Sequence, residues 1–138
     1  MTLDEVRAYL RRPRKMESEI RRKEIRIQEL RAALLPAAIL YESDRVQTSP
    51  GDKMSEIMAE VDRLEREIAD LQLEKAAAMI KIAKDLDTLP DRHAEALNLI
   101  FIGGKTEEAA AEAMTYSDRH IRRLIGEGIE MLSYNVRS

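Results

Sequence analysis

Hydrophobic positions recur at helical spacing along most of the chain, and the breaks in that spacing predict where helices end. Apolar residues three, four and seven positions apart lie on one face of an α-helix. The pattern predicts an all-α fold: a long antiparallel helical hairpin of coiled-coil type, residues 1–89, followed by a small helix-turn-helix domain, residues 90–138. The predicted helices are residues 3–12, 14–35, about 50–86, 91–102, 106–113 and 117–132.

The two long helical stretches each carry a heptad seam. Neither helix can bury its apolar stripe alone, so we expect them to fold back on each other, to self-associate, or both. Lys23 is expected to fill one core position through its aliphatic stem. The predicted seam residues are Met16, Ile20, Ile27, Leu30 and Leu34 in the first stretch, and Met54, Ile57, Val61, Leu64, Ile68, Leu71, Ala78 and Ile82 in the second.

Two prolines divide the first half of the chain. Proline lacks an amide hydrogen and disfavours helix in the residue before it. We therefore expect an interruption at Pro13 and the end of a helix at Pro36. Residues 42–51 are polar and rich in turn-forming types, so the connection is predicted as a loop over about residues 36–51.

Residues 105–124, KTEEAAAEAMTYSDRHIRRL, predict two short helices joined by a tight turn. Thr106 is a suitable N-cap for the first helix, because its hydroxyl can accept a bond from a first-turn amide. The break falls at residues 114–116, and Ser117 is expected to cap the second helix. A short helix, a turn of about three residues and a second capped helix form the helix-turn-helix pattern.

The second of these helices has two unlike faces. At 100° per residue, apolar positions cluster on one side and arginines on the other. An arginine-lined face suits the DNA major groove, where guanidinium groups bond guanine edges and phosphates. The alternative is that the arginines only solvate a surface helix. The predicted DNA-binding residues are Thr106, Ser117, Arg119, His120, Arg122 and Arg123.

Composition narrows the classes of function. The net charge of −3 argues against binding nucleic acid by bulk attraction, so one copy of the module is expected to bind DNA modestly, and a homodimer formed mainly through the helical hairpin, before Leu89, is expected. No cysteine is present, which excludes disulfides and thiolate metal sites. No apolar run reaches the roughly 20 residues of a membrane span, and a cytoplasmic location in a bacterial host cell is expected.

An enzyme is not expected, and neither is a cofactor or a metal. Gly104-Lys105-Thr106 resembles the end of a phosphate-binding P-loop, but Leu99 stands where that motif needs another glycine. His93 and His120 are too few and too isolated for a metal site.

Residues 11–23 are the most basic part of the chain. The favoured interpretation is a solvated coiled-coil face whose cations pair with Glu17, Glu19 and Glu24. Contact with phosphates is the alternative.

From Leu89 onward the chain resembles region 4 of sigma-70-type factors. Thr115 replaces the turn glycine of that pattern and Ala110 replaces a larger core residue. The matching positions are Leu89, Pro90, Thr106, Ala110, Ala111, Met114, Ser117, Ile121 and Leu132.

Over about residues 40–138 the chain is similar to small phage late-gene regulators of the ArpU and RinA kind. The similarity is carried by residues 41–58, YESDRVQTSPGDKMSEIM, followed by residues 63–68, RLEREI. It implies sequence-specific promoter binding and contact with host RNA polymerase. The rival hypothesis is an oligomeric helical assembly protein, such as a phage DNA-packaging adaptor that also carries a helix-turn-helix.

Overall fold

The structure is a computed structural model. It describes the backbone of residues 1–43 and 50–135 and the side chains of residues 1–35 and 51–135. These residues are helical, with turns and no strand among them, so the all-α prediction is confirmed. The elements are α1 (Leu3–Ser43), α2 (Pro50–Leu86), α3 (Asp91–Leu97), a π-helical segment (Asn98–Ile102), α4 (Glu107–Met114) and α5 (Asp118–Asn135).

Helix α1 does not break at its prolines, and both predicted interruptions are wrong. It begins at the Thr2 cap, whose hydroxyl accepts a bond from the Glu5 amide at 3.1 Å, and continues to Ser43. An interior proline costs about 3 kcal/mol through a lost hydrogen bond and a steric clash, but its φ is already helical. Pro13 is buried, between buried Leu10 and Met16, so tertiary packing opposes that cost.

The predicted loop over residues 36–51 is correspondingly too long. The backbone is helical up to Ser43 and again from Pro50, and residues 44–49 of the predicted loop lie outside the described residues. The predicted end of the second long helix near Leu86 agrees with the structure.

The chain forms two compact units. Unit 1 combines Met1–Met16 with Glu74–Ser138, and unit 2 is Glu17–Leu73. Each of the two long helices has residues in both units, so the units do not coincide with the predicted boundary between residues 89 and 90. That boundary stays a prediction about independently folding domains.

Unit 2 is a pair of antiparallel helical segments with a narrow apolar seam. Ion pairs join Lys23 to Glu67 at 2.8 Å and Arg31 to Glu65, so the numbering falls along one segment as it rises along the other. Eight of the thirteen residues predicted for the heptad seam form it, whereas Ile82 is buried in the core of unit 1 instead. Its buried residues are Ile20, Ile27, Val61, Leu64 and Ile68, with Leu30, Ile57 and Leu71 partly buried beside them.

Unit 1 has a broader core to which all five α-helices contribute. Val6 and Leu10 of α1 are fully buried in the same cluster as the apolar face of α5. The Tyr9 hydroxyl donates a hydrogen bond to the Asp85 carboxylate, and burial together with this bond raises the pKa of Tyr9 well above its usual range. The other buried members are Ile82, Leu86, Leu89, Ala96, Leu97, Ala110, Ala111, Ile121, Leu124, Ile125, Ile129 and Leu132.

Two glycines make the joint between α3 and α4. The helix predicted over residues 91–102 widens into a π-helix over its last five residues, closed by a bond of 2.8 Å from the Gly103 amide to the Asn98 carbonyl. A Cβ at Gly103 would lie 2.7 Å from the Leu99 carbonyl oxygen, and Gly104 has φ +67°. Glycine tolerates both the close carbonyl at position 103 and the positive φ at position 104 without strain. The chain can therefore turn here towards the start of α4.

Candidate nucleic-acid interface

Two hydroxyl caps set the start of α4 and of α5, as predicted. The Thr106 hydroxyl accepts a bond from the Ala109 amide at 3.1 Å, and the Ser117 hydroxyl accepts one from the His120 amide at 3.1 Å. Each cap gives a partner to an amide that would otherwise lack one in the first turn.

The turn between these helices is closed by the Schellman arrangement of backbone bonds. The Tyr116 amide donates to the Ala111 carbonyl at 2.9 Å, and the Thr115 amide donates to the Glu112 carbonyl at 3.2 Å. Thr115 itself is left-handed, with φ 60° and ψ 42°. A β-branched residue is unfavourable there by roughly 1–2 kcal/mol, so the turn keeps its geometry under local strain.

The apolar face of α5 is buried, and this fixes which face points outward. Its buried residues are Ile121, Leu124, Ile125, Gly128, Ile129 and Leu132. Gly128 allows close approach to α3, because a Cβ there would lie 2.6 Å from Cδ1 of Leu97. At Gly126 nothing lies within 4 Å of an added Cβ, so that glycine faces open space.

Arg119, Arg122 and Arg123 are all exposed, on the side of α5 away from the core. The Arg122 guanidinium lies 3.8 Å from the Glu107 carboxylate of α4, and Arg123 lies 3.5 Å from Glu127 one turn further on. Arg119 has no hydrogen bond or ion pair with any residue that the structure describes. Its guanidinium is therefore the one of the three whose donors are uncommitted within the described part of the chain.

His120 lies between the two faces of α5 and is half-buried. Its ring packs edge-on against Tyr116, with centroids 4.4 Å apart. Its Nδ1 accepts a hydrogen bond from Arg123 at 3.2 Å. The Tyr116 ring thus orients His120, and His120 in turn orients Arg123.

Arg123 is also linked to α3 through Glu127, which contacts both Arg123 and His93. His93 Nε2 and Glu127 form a hydrogen bond of 2.8 Å, while the buried Nδ1 of His93 has no partner among the described residues. The bond to His93 holds the pKa of Glu127 below its ordinary value, with Arg123 and His120 adding to the effect. Glu127 is consequently ionised at neutral pH and can keep hold of Arg123.

Two shallow open concavities flank the arginines, and they differ in charge. One lies between the starts of α4 and α5 and is lined by Thr106, Glu107, Glu108, Asp118 and Arg122. Its three carboxylates repel an anion.

The other concavity is lined by Ser117, Arg119, His120 and Arg123 and contains no carboxylate. The structure therefore groups four of the six predicted site residues around a concavity with no carboxylate in its lining, where Arg123 also pairs with nearby Glu127, and leaves Thr106 and Arg122 in a lining with three carboxylates.

The residues that surround or position the arginines of α5 and that were missed from the sequence are Tyr116, Glu107, Glu127 and His93. The spacing of Arg123 and Glu127 by four residues was a readable signal of pairing. No local signal links Arg122 to Glu107 or Glu127 to His93, because those pairs are made only when α4 and α3 pack on α5.

Neither a metal site nor a bilayer span is found in the described ranges. They hold no group of three or more His, Cys, Asp or Glu residues placed to bind a metal ion, and no helix in them is long and apolar enough to cross a membrane.

No protein-family model, curated protein or solved structure matches this chain.

Proposed function

We propose that the chain is a sequence-specific DNA-binding transcriptional regulator that reads the major groove with residues 117–132. The observation that carries the proposal is the carboxylate-free surface formed by Ser117, Arg119, His120 and Arg123 on the exposed side of α5. An α-helix fits the major groove, and its arginines can bond guanine O6 and N7 in pairs.

The three arginines are assigned different roles. Arg119 is the base reader, because its donors are free of protein partners in the described residues. Arg123 is a positioned donor, held by His120 and Glu127. Arg122 and Thr106 lie beside carboxylates, and we expect little from either in DNA contact.

The regulator is further proposed to be phage-encoded and to act with host RNA polymerase. The support is the similarity of the sequence to phage late-gene regulators and to sigma region 4. In such a regulator α4 would lie across the DNA backbone while α5 enters the groove.

A homodimer remains part of the proposal, because two modest sites in one assembly bind DNA more tightly than one. The heptad seam is filled within unit 2 by residues of the same chain. A dimer through the hairpin would therefore use residues of the hairpin outside this seam, and light scattering would measure whether a dimer forms. A ring of many subunits would instead favour the packaging-adaptor hypothesis.

The test begins by selecting bound sequences from random duplex DNA with the full chain. Binding of Ala variants is then measured on the selected site and on random duplex. Arg119→Ala is expected to lose about 1–3 kcal/mol on the selected site and to relax discrimination at one base pair, because a bidentate contact is removed.

The matched control is Arg66→Ala, an exposed arginine on α2 in unit 2. It should leave both affinities unchanged. If Arg119→Ala and Arg123→Ala both bind the selected site as the parent does while circular dichroism shows them folded, α5 is not the reading helix and the proposal is wrong.

A further inference from the structure

The first turns of α1 carry a stripe of exposed cations. Arg7, Arg11, Arg14 and Lys15 fall within about 100° of arc on the helix. No carboxylate occurs in residues 6–16, and Asp4, which lies on the same arc one turn before Arg7, forms no ion pair with these cations in the described part of the chain. We call these four residues the basic stripe.

Several cations of unit 2 have carboxylate partners, whereas the side chains of the basic stripe have none among the described residues. In unit 2, Lys23, Arg31 and Arg63 each pair with a glutamate. No hydrogen bond or ion pair joins a stripe side chain to any described residue.

The stripe is also held in place. The opposite side of α1 is buried through Val6 and Leu10, which share a core with α5. The Tyr9–Asp85 bond fastens the same turn to α2, and the amino group of Met1 donates to the Ser133 carbonyl of α5 at 3.4 Å. The cations therefore stand on a rigid support inside the unit that contains α4 and α5.

We infer that the basic stripe is a second nucleic-acid contact, which binds backbone phosphates of duplex DNA without reading bases. Three of its four side chains are arginines, whose planar guanidinium matches phosphate geometry. From Arg7 to Lys15 the helix rises about 12 Å, and each cation stands on a long side chain that can extend to a phosphate. The stripe therefore offers up to about four phosphate contacts.

An anionic membrane is less favoured as the partner. Helices that bind in a membrane interface insert an apolar face beside the basic one, and the apolar face of this segment is buried in the protein. The inference rests on the proposed function in its choice of duplex DNA as the polyanion, and it adds the stripe to α5 as a separate site.

The test uses the full chain with the stripe neutralised as R7Q/R11Q/R14Q/K15Q. Glutamine keeps helix propensity and length, so the thermal midpoint should not fall. The matched control removes the same number of positive charges from α2, as K53Q/R63Q/R66Q/K84Q. Dissociation constants are measured on the selected site and on a random duplex of about 30 base pairs, between about 50 and 200 mM salt.

The stripe variant is expected to weaken binding to both duplexes by the same factor. The slope of log affinity against log salt is negative, and its magnitude should decrease by about 3 to 4. Each lost phosphate contact reduces that magnitude by about 0.9. The control variant should change the slope by less than 1. The inference would be overturned if the stripe variant had the same salt slope as the parent. It would also be overturned if the stripe and control variants lost the same amount of affinity.

Two further measurements separate the outcomes. Binding to phosphatidylserine vesicles or to polyglutamate that depends on the stripe, with duplex binding unchanged, would also overturn it in favour of a lipid or an acidic protein. If Arg119→Ala has no effect while the stripe variant loses its salt slope, the stripe stands and the proposed role of α5 fails.

Discussion

The two compact units are stabilised in different ways. Unit 2 has a narrow seam flanked by ion pairs such as Lys23–Glu67, and its buried residues include the heptad pairs Ile20 with Ile27 and Val61 with Ile68. Unit 1 joins Val6 near one end of the chain to Leu132 near the other in a single core. A repeating seam is a local property that periodicity can express, whereas a shared core depends on packing between distant segments.

The difference extends to charge. In unit 2, Lys23 and Arg31 pair with carboxylates of the facing helix. In unit 1 the basic stripe and Arg119 have no described partner. Uncompensated charge on a well-packed support is the arrangement expected of a surface that binds an anionic partner.

The largest expected effect comes from a substitution in α1 that disrupts the core of unit 1. Leu10→Ala should lower the free energy of unfolding by about 2–5 kcal/mol, because Leu10 is fully buried among residues of several helices. Hydrogen exchange should also show lost protection in α5. Exposed Arg11→Ala, the control, should stay within about 0.5 kcal/mol. Protection of α5 that survives Leu10→Ala unchanged would contradict a shared core.

Leu64→Ala tests the seam of unit 2 in the same way. Leu64 is 1% exposed, but its neighbours Leu30 and Leu71 are only partly buried and can relax, so we expect the lower part of a range of about 2–5 kcal/mol. The loss of exchange protection should stay within residues 17–73. Arg66→Ala should cost far less in thermal melts, and equal costs for the two variants would count against this seam.

Two glycines of α5 sharpen the description of its two faces. Gly128→Ala should destabilise the protein by about 1–3 kcal/mol, because the new methyl group meets fully buried Leu97. Gly126→Ala places its methyl in open space and should stabilise by about 0.5–1 kcal/mol through helix propensity. Chemical denaturation of the two variants measures whether each substitution raises or lowers the free energy of unfolding. A change in the same direction for both would show that α5 is rotated from this orientation.

The smallest expected effect concerns the turn before α5. Thr115→Gly should raise the free energy of unfolding by about 1 kcal/mol, because glycine adopts φ 60° without a steric penalty. Thr115→Ala is the control, since it keeps a Cβ and should gain less. An unchanged or lower stability for the glycine variant would mean that Thr115 is not strained there.

The sequence by itself was sufficient for the features that depend on neighbours along the chain. The all-helical class, the seam residues of unit 2 and the two hydroxyl caps follow from spacing and from side-chain chemistry within a turn or two. The buried face of α5 follows too, because helical geometry separates Ile121 and Leu124 from the arginines whatever the rest of the chain does.

Only the tertiary structure decided the features that set distant residues against each other. Pro13 signals a break locally, yet burial in unit 1 keeps α1 continuous through it. The support of the basic stripe by Val6, and the opposite surroundings of Arg119 and Arg122, arise from packing between helices far apart in sequence. Local helix propensities of about 1–3 kcal/mol are outweighed when a core buries several apolar side chains. The pattern along the chain does not indicate which of those side chains contact each other.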